Sequence, residues 1–249
     1  MTWKVENMER RLIAVIALIM LGALLLAEAA MAAPTSPLSA TPGPSSRRDL
    51  STLPAAQVDA LAGNVTQLSI DALAITNSWQ GYYGNVTGAI VLDDGNNNTF
   101  YNWSLTSVKG EVYAARVASP TWTTINCTAA ANVSTEETAL GQAATDADSV
   151  SNTFSQSTTH PGFSVGNVAI TADSCYATNA FDNTGAQNTK FYQVLLSDNS
   201  GAGNIVYTAL MNGSQTGFNG DAWDFELLVG EDGHGNSAVT PYYFFVELG

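Results

Sequence analysis

"DAWDFELLVGEDGHGNSAVTPYYFFVEL", residues 221–248, holds two different strand patterns on either side of a turn. In its first part Trp223, Phe225, Leu227 and Val229 alternate with Asp224 and Glu226, which predicts a strand with one buried face and one at least partly wet face. Its last part is apolar on both faces, with Tyr242, Phe244, Val246 and Leu248 on one and Tyr243 and Phe245 on the other. Such a strand is expected in the middle of a sheet, and its truncation is expected to destroy the fold. Between the two, the pairs Asp232 with Gly233 and His234 with Gly235 tolerate the positive φ of tight turns.

Further strand candidates lie upstream, separated by Gly, Asn and Asp turns: "TQLSIDALAI" (66–75), "GAIVLDD" (88–94), "TFYNWSL" (99–105), "EVYAARV" (111–117), "FSVGNVAIT" (163–171), "KFYQVLLSD" (190–198) and "NIVYTALM" (204–211). Short strands at this spacing predict a mainly β sandwich or barrel over residues 59–249, long enough for one real core and without an internal repeat.

Residues 134–154 break the pattern. Leu140, Ala143 or Ala144, Ala147, Val150 and Phe154 recur at three-to-four spacing, which predicts one amphipathic helix opened by a Ser134 and Glu137 capping box. Cys127 and Cys175 flank it. Two cysteines in an exported chain predict one disulfide closing a loop of about 50 residues, with a pair of buried thiols as the alternative.

The evidence for export lies in residues 1–33. A charged start with Arg10 and Arg11, an apolar block and small Ala30, Ala32 and Ala33 before Pro34 form a signal peptide, with the mature chain starting at Ala33 or Pro34. An uncleaved anchor is the competing reading. The rest of a twin-arginine signal is missing around the arginine pair, and no later segment is long and apolar enough to span a membrane. Residues 34–58, rich in Pro, Ser and Thr, read as a flexible arm carrying a candidate processing pair, Arg47 and Arg48.

The net charge of −14 comes from 22 acidic against 8 basic residues. Beyond Arg48 only Lys109, Arg116 and Lys190 are basic, too few to neutralise phosphates, so nucleic acid and anionic membranes are not expected partners. Asn64, Asn85, Asn97, Asn102, Asn126, Asn132 and Asn212 head Asn-x-Ser/Thr sequons and are candidate glycosylation sites.

Catalytic motifs are lacking. His160 and His234 read as turn residues outside any metal-binding spacing, and there is no nucleophile elbow. Asp221, Asp224, Glu226, Glu231 and Asp232 are close in sequence, as a glycosidase pair would need, but alternation with apolar residues is ordinary for a solvated face. No cofactor is expected beyond calcium, for which Asp93, Asp94 and Asn96, or Glu231, Asp232 and Asn236, offer hard oxygen ligands on Gly-containing loops. Trp79, Tyr82, Tyr83, Tyr101 and Trp103, together with Tyr113 and Trp122, supply either a platform for sugar rings or core packing.

At "SWQGYYGNVTGAIVLDDGNNNTFYNWSL" (78–105), "CYATNAFDNTGAQNTKFYQVLLSD" (175–198) and "WDFELLVGEDGHGNSAVTPYYFFVEL" (223–248) the chain resembles a group of exported archaeal surface proteins of unassigned function. The resemblance implies an extracellular, immunoglobulin-like antiparallel β-sandwich and brings no active-site residues. The signal also departs from the pilin pattern, in which the apolar block stays on the mature chain. The expected function is that of a secreted cell-surface structural protein, not an enzyme, that binds itself or other surface proteins. A carbohydrate-binding or adhesive module is the alternative.

Overall fold

The structure is a computed structural model describing residues 32–105, 108–199, 204–234 and 239–249. The expected signal segment and Asn236 therefore lie outside the described residues, apart from Ala32 and Ala33. The chain is mainly β and its sheets are antiparallel. A central sheet runs in the order β14 (Tyr243–Leu248), β4 (Gly110–Ala115), β10 (Ile205–Leu210) and β9 (Gln187–Ser197). Both β5 (Asn126–Cys127) and β8 (Ala177–Phe181) pair with the remaining edge of β9.

Period-two apolarity makes this sheet the middle of three layers. Val112, Ala114, Leu195, Ile205, Tyr207 and Ala209 face one side, where they meet Leu227 and Val229 of a two-stranded ribbon, β1 (Trp79–Gly84) with β13 (Phe225–Gly230). The same side is closed by Val133, Leu140, Val150 and Phe154 of the helical excursion. Tyr113, Val194, Leu196, Val206 and Phe245 face the opposite side, against Val165 and Ile170 of the hairpin β6 (Phe163–Val165) and β7 (Val168–Ile170). Burying side chains of this size stabilises by about 1.5–3 kcal/mol each, which is what holds the layers together.

Three expectations about the strands need correction. First, β14 is an edge strand, not a central one. Its two-sided apolarity reports cover above and below the sheet, while in the plane its outer edge meets, among the described residues, only Thr35, in an isolated bridge with Val246. Second, residues 66–75 form no strand, and no backbone ladder joins them to a neighbour among the described residues. Third, Asp224 and Glu226 are buried rather than wet. Asp224 accepts the backbone N–H of Val86 and of Ser214, each at 2.9 Å, and Glu226 that of Phe218 at 2.9 Å, so both carboxylates tie loops to the ribbon. The segment is also split, with β12 (Ala222–Trp223) pairing with β11 (Gln215–Thr216) before β13 begins.

The single predicted helix is two, α1 (Ala130–Ala139) and α2 (Val150–Thr153). Ser134 lies inside α1, where its hydroxyl donates back to Ala130 O, so it caps nothing. Gly141, at φ +67°, ends α1: Gln142 N–H reaches Glu137 O at 2.9 Å and Gly141 N–H reaches Thr138 O at 3.2 Å, a Schellman stop. Glu137 then accepts both the N–H and the hydroxyl of Ser151, stapling α2 to α1. Leu140, Val150 and Phe154 are nonetheless fully buried, as the spacing predicts. The Cys127–Cys175 disulfide is formed and closes this excursion.

Candidate functional site

One departure from a closed surface is the hairpin β2 (Ala89–Asp93) and β3 (Thr99–Ser104). Asp94 shapes its turn: one carboxylate oxygen accepts the N–H of Asn96 and Asn98 at 2.8 and 2.9 Å, and the other accepts the Asn98 side-chain amide. These bonds hold the Asp94 carboxyl below its ordinary range, with the Asn98 side chain contributing most. Past the turn, Ile90 pairs with Trp103 and Leu92 with Tyr101, so these four side chains share one face. Each is 41–55% exposed, although Tyr101 and Trp103 rest on each other at 4.7 Å, and Phe100 on the opposite face is 84% exposed. Among the described residues nothing covers this apolar face.

A second uncovered apolar element lies just upstream. Between Leu53 and Leu73 the chain forms no helix or strand and turns at Leu61–Asn64, with Leu53, Val58, Leu61, Val65, Leu68, Ile70 and Leu73 all more than half exposed. It is tethered at its ends: Arg47 donates to the Asn77 side chain at 2.8 Å, and Trp79 Nε1 donates to Asp148 O. Arg47, Arg48, Asp49, Leu50 and Ile75 line an open groove where it folds back on itself.

The structure divides the aromatic set between the two readings left open, core packing and an exposed surface. Trp79 packs inward on Phe154 and Tyr207, Tyr82 on Phe244, and Trp122 on Tyr113 and Phe245. Tyr83 remains at the surface and meets Phe218, which the sequence did not single out, and Trp223, expected on a buried strand face but only half-buried, each at 4.9 Å. Pairing of β1 with β13 brings them together, and no local spacing announces it.

Three of the calcium candidates use carboxylate oxygens internally. Asp94 is occupied as described, Glu231 accepts the N–H of Gly233, and Asp232 accepts the Thr240 hydroxyl. Among the described residues no group of three or more His, Cys, Asp or Glu side chains is placed to hold a metal. His160 does more than turn the chain. It is 2% exposed, its Nδ1 donates to Pro161 O at 2.9 Å, and its Nε2 accepts the N–H groups of Ser174 and Cys175, both at 3.1 Å. This fixes the tautomer and clamps the Cys175 end of the disulfide. His234 is exposed, at φ +50°.

Two buried polar clusters escaped the sequence reading. On one side of the central sheet Glu136 accepts from Arg116 and, at 3.0 Å, from the Tyr207 hydroxyl, and burial raises its carboxyl above the ordinary range against the pull of Arg116. On the other side, Glu111 and Glu247 are partners across β4 and β14, and the Tyr113 hydroxyl lies 3.0 Å from Glu247 and 3.5 Å from Glu111. Burial first, and then the Glu247 charge, push Glu111 up to about 8. This pair is closed off from any sugar ring, being 7% and 4% exposed.

Of the sequon asparagines, Asn64, Asn85, Asn97, Asn102, Asn126 and Asn212 are exposed, whereas Asn132 is half-buried in α1 and donates to Ser197 Oγ at 3.1 Å. No helix among the described residues is long and apolar enough to cross a membrane. Comparison with protein-family models, with curated proteins and with solved structures returned no match.

Proposed function

We propose that this is an exported extracellular structural protein, a subunit of a surface coat or filament, in which copies join through the hairpin of one and the extended segment 66–75 of the next. One observation carries the reading: a single chain leaves in water both an apolar hairpin face, Ile90, Leu92, Tyr101 and Trp103, and a strand-like segment bearing Leu68, Ile70 and Leu73. Exposed apolar area of this kind marks an interaction surface. The occupant follows from complementarity of need. The hairpin has an apolar face without a cover, and the segment has apolar side chains and an unpaired backbone without a sheet, so strand addition between copies satisfies both. The disulfide and the signal-like start favour an extracellular setting, and the exposed sequons add glycosylation to the proposal. Layered antiparallel packing supports placing the domain among immunoglobulin-like sandwiches, and the archaeal resemblance belongs to the same proposal.

Light scattering and negative-stain microscopy of the recovered protein test the reading. Polymers that disappear in Ile70→Asp, with the melting temperature unchanged, are the expected result. A strictly monomeric wild type overturns it. In that case the exposed cluster of Tyr83, Phe218 and Trp223 favours the second reading, a carbohydrate-binding or adhesive module, which a glycan array checks directly.

A further inference from the structure

The chain just beyond the expected cut is docked on the fold. Thr35 exchanges two backbone hydrogen bonds with Val246 on the outer edge of β14: Thr35 N–H to Val246 O at 3.0 Å and Val246 N–H to Thr35 O at 2.9 Å. Residues flanking such an antiparallel pair face each other closely, which sets Pro34 across from Glu247. Pro34 is buried, while Ala32 and Ala33 are exposed, so the peptide bond between them is open to a peptidase. Ala33 itself rests on the turn joining β6 and β7. A Cβ added to Gly166 would lie 3.2 Å from Ala33 Cα and 3.6 Å from its nitrogen. Gly166 in turn donates its N–H to Glu247, 3.0 Å from each carboxylate oxygen. The Ala33 backbone and the Glu247 carboxylate therefore both meet the same glycine.

Charge at this corner is unbalanced. Tyr113 has one hydroxyl proton and sits nearer Glu247, which leaves Glu111 with the longer contact of 3.5 Å. The ion pairs among the described residues, Arg116 with Glu136 and Lys190 with Asp182, involve neither glutamate. Lys109, next to β4 in the chain, is exposed. Two carboxyl groups more than nine-tenths buried require protons or a cation.

We propose that hydrolysis of the bond between Ala32 and Ala33 supplies that cation: the new α-ammonium of Ala33 seats on the site made by Glu247, Glu111, Tyr113 and the Gly166 turn. Water adds across the C–N bond under an export-route peptidase, leaving a carboxylate on Ala32 and an ammonium on Ala33. Ala30 and Ala32 present the small side chains such a peptidase takes. The inference rests on the export reading above. Its consequence is that processing locks the outer edge of β14: the freed terminus holds Pro34 and Thr35 against the strand, and the glutamates gain a partner for their charge.

The full chain is expressed for export, and the intact mass of the recovered protein gives its first residue. A start at Ala33 is expected; an uncut chain or a start further on overturns the inference, and an uncut chain overturns the export reading with it. The α-amine is then labelled with an acylating reagent at neutral pH. Pairing with a carboxylate raises its pKa above the ordinary range of about 7.7–8.0, so labelling of the folded protein should be at least tenfold slower than of the urea-unfolded protein. Glu247→Gln should remove most of this protection, with Glu111→Gln as the second variant if the first does not fold. A wild type starting at Ala33 whose amine reacts as fast folded as unfolded sinks the inference and leaves export standing.

Discussion

Glu111 and Glu247 are direct neighbours across β4 and β14, both buried, and the Tyr113 hydroxyl reaches towards both. Two carboxyl groups in that position favour the protonated form. Glu111 is pushed up from 4.5 to about 8, mainly by burial, so between these values the folded chain binds a proton that the unfolded chain has lost. A raised carboxyl pKa makes stability complete below about pH 4.5 and lets it fall as pH climbs towards 8. With the bond between Ala32 and Ala33 intact, urea unfolding at pH 5 and pH 8 should differ by roughly 2–4 kcal/mol from this group. Glu111→Gln cannot ionise and should flatten the slope.

The ion pair of buried Glu136 with half-buried Arg116 gives a different pattern. Glu136 is fully buried and also accepts a hydrogen bond from the Tyr207 hydroxyl, so Arg116→Met takes away the cation paired with it. Removing one partner of such a pair costs about 3–5 kcal/mol, whereas replacing both with apolar residues of similar size is often nearly neutral. Urea midpoints of Arg116→Met and of Arg116→Met with Glu136→Leu should therefore differ, with the double variant more stable than the single one.

The sequence made the central sheet legible because its core strands obey period two: Leu195 faces one side while Val194 and Leu196 face the other, and Tyr207 opposes Val206 in the same way. What it could not reveal was in-plane order. Tyr243, Phe244, Phe245 and Val246 have the same apolarity at an edge under two cover layers as in a sheet centre. The end of α1 was legible in principle, since Leu140, Gly141 and Gln142 carry the glycine a Schellman stop needs. Burial of Asp224 was not, because its partners are the backbone amides of Val86 and Ser214, which leave no mark in the sequence. On the candidate site the reading gave the hairpin strands and Tyr101 with Trp103. It missed Phe218 and Trp223 beside Tyr83, because that cluster exists only once β1 pairs with β13.

His160 ties the disulfide to the loop before β6 through three hydrogen bonds made by one buried ring. In His160→Leu the ring disappears and leaves the Ser174 and Cys175 amides without an acceptor. Ser174 is exposed and can turn to water, whereas Cys175 is buried, and an orphaned buried donor costs about 1–3 kcal/mol. Urea unfolding should show a loss of about 1–3 kcal/mol with the disulfide oxidised. His160→Gln, which retains an acceptor, should recover part of it.

The hairpin separates assembly from stability. Trp103 and Leu92 sit on one exposed face and contribute nothing to either core cluster, so Trp103→Ser and Leu92→Ser should change unfolding free energy by no more than about 0.5 kcal/mol. If that face receives segment 66–75 of a neighbouring copy, the same substitutions remove the buried centre of the contact, where truncating an aromatic anchor typically costs about 2 kcal/mol or more. The concentration at which scattering detects polymers should then rise at least tenfold in either variant, and further in the pair. Polymers that form equally well with Trp103→Ser would place the contact elsewhere on the surface. A matching drop in melting temperature would show instead that the hairpin face is covered within the chain.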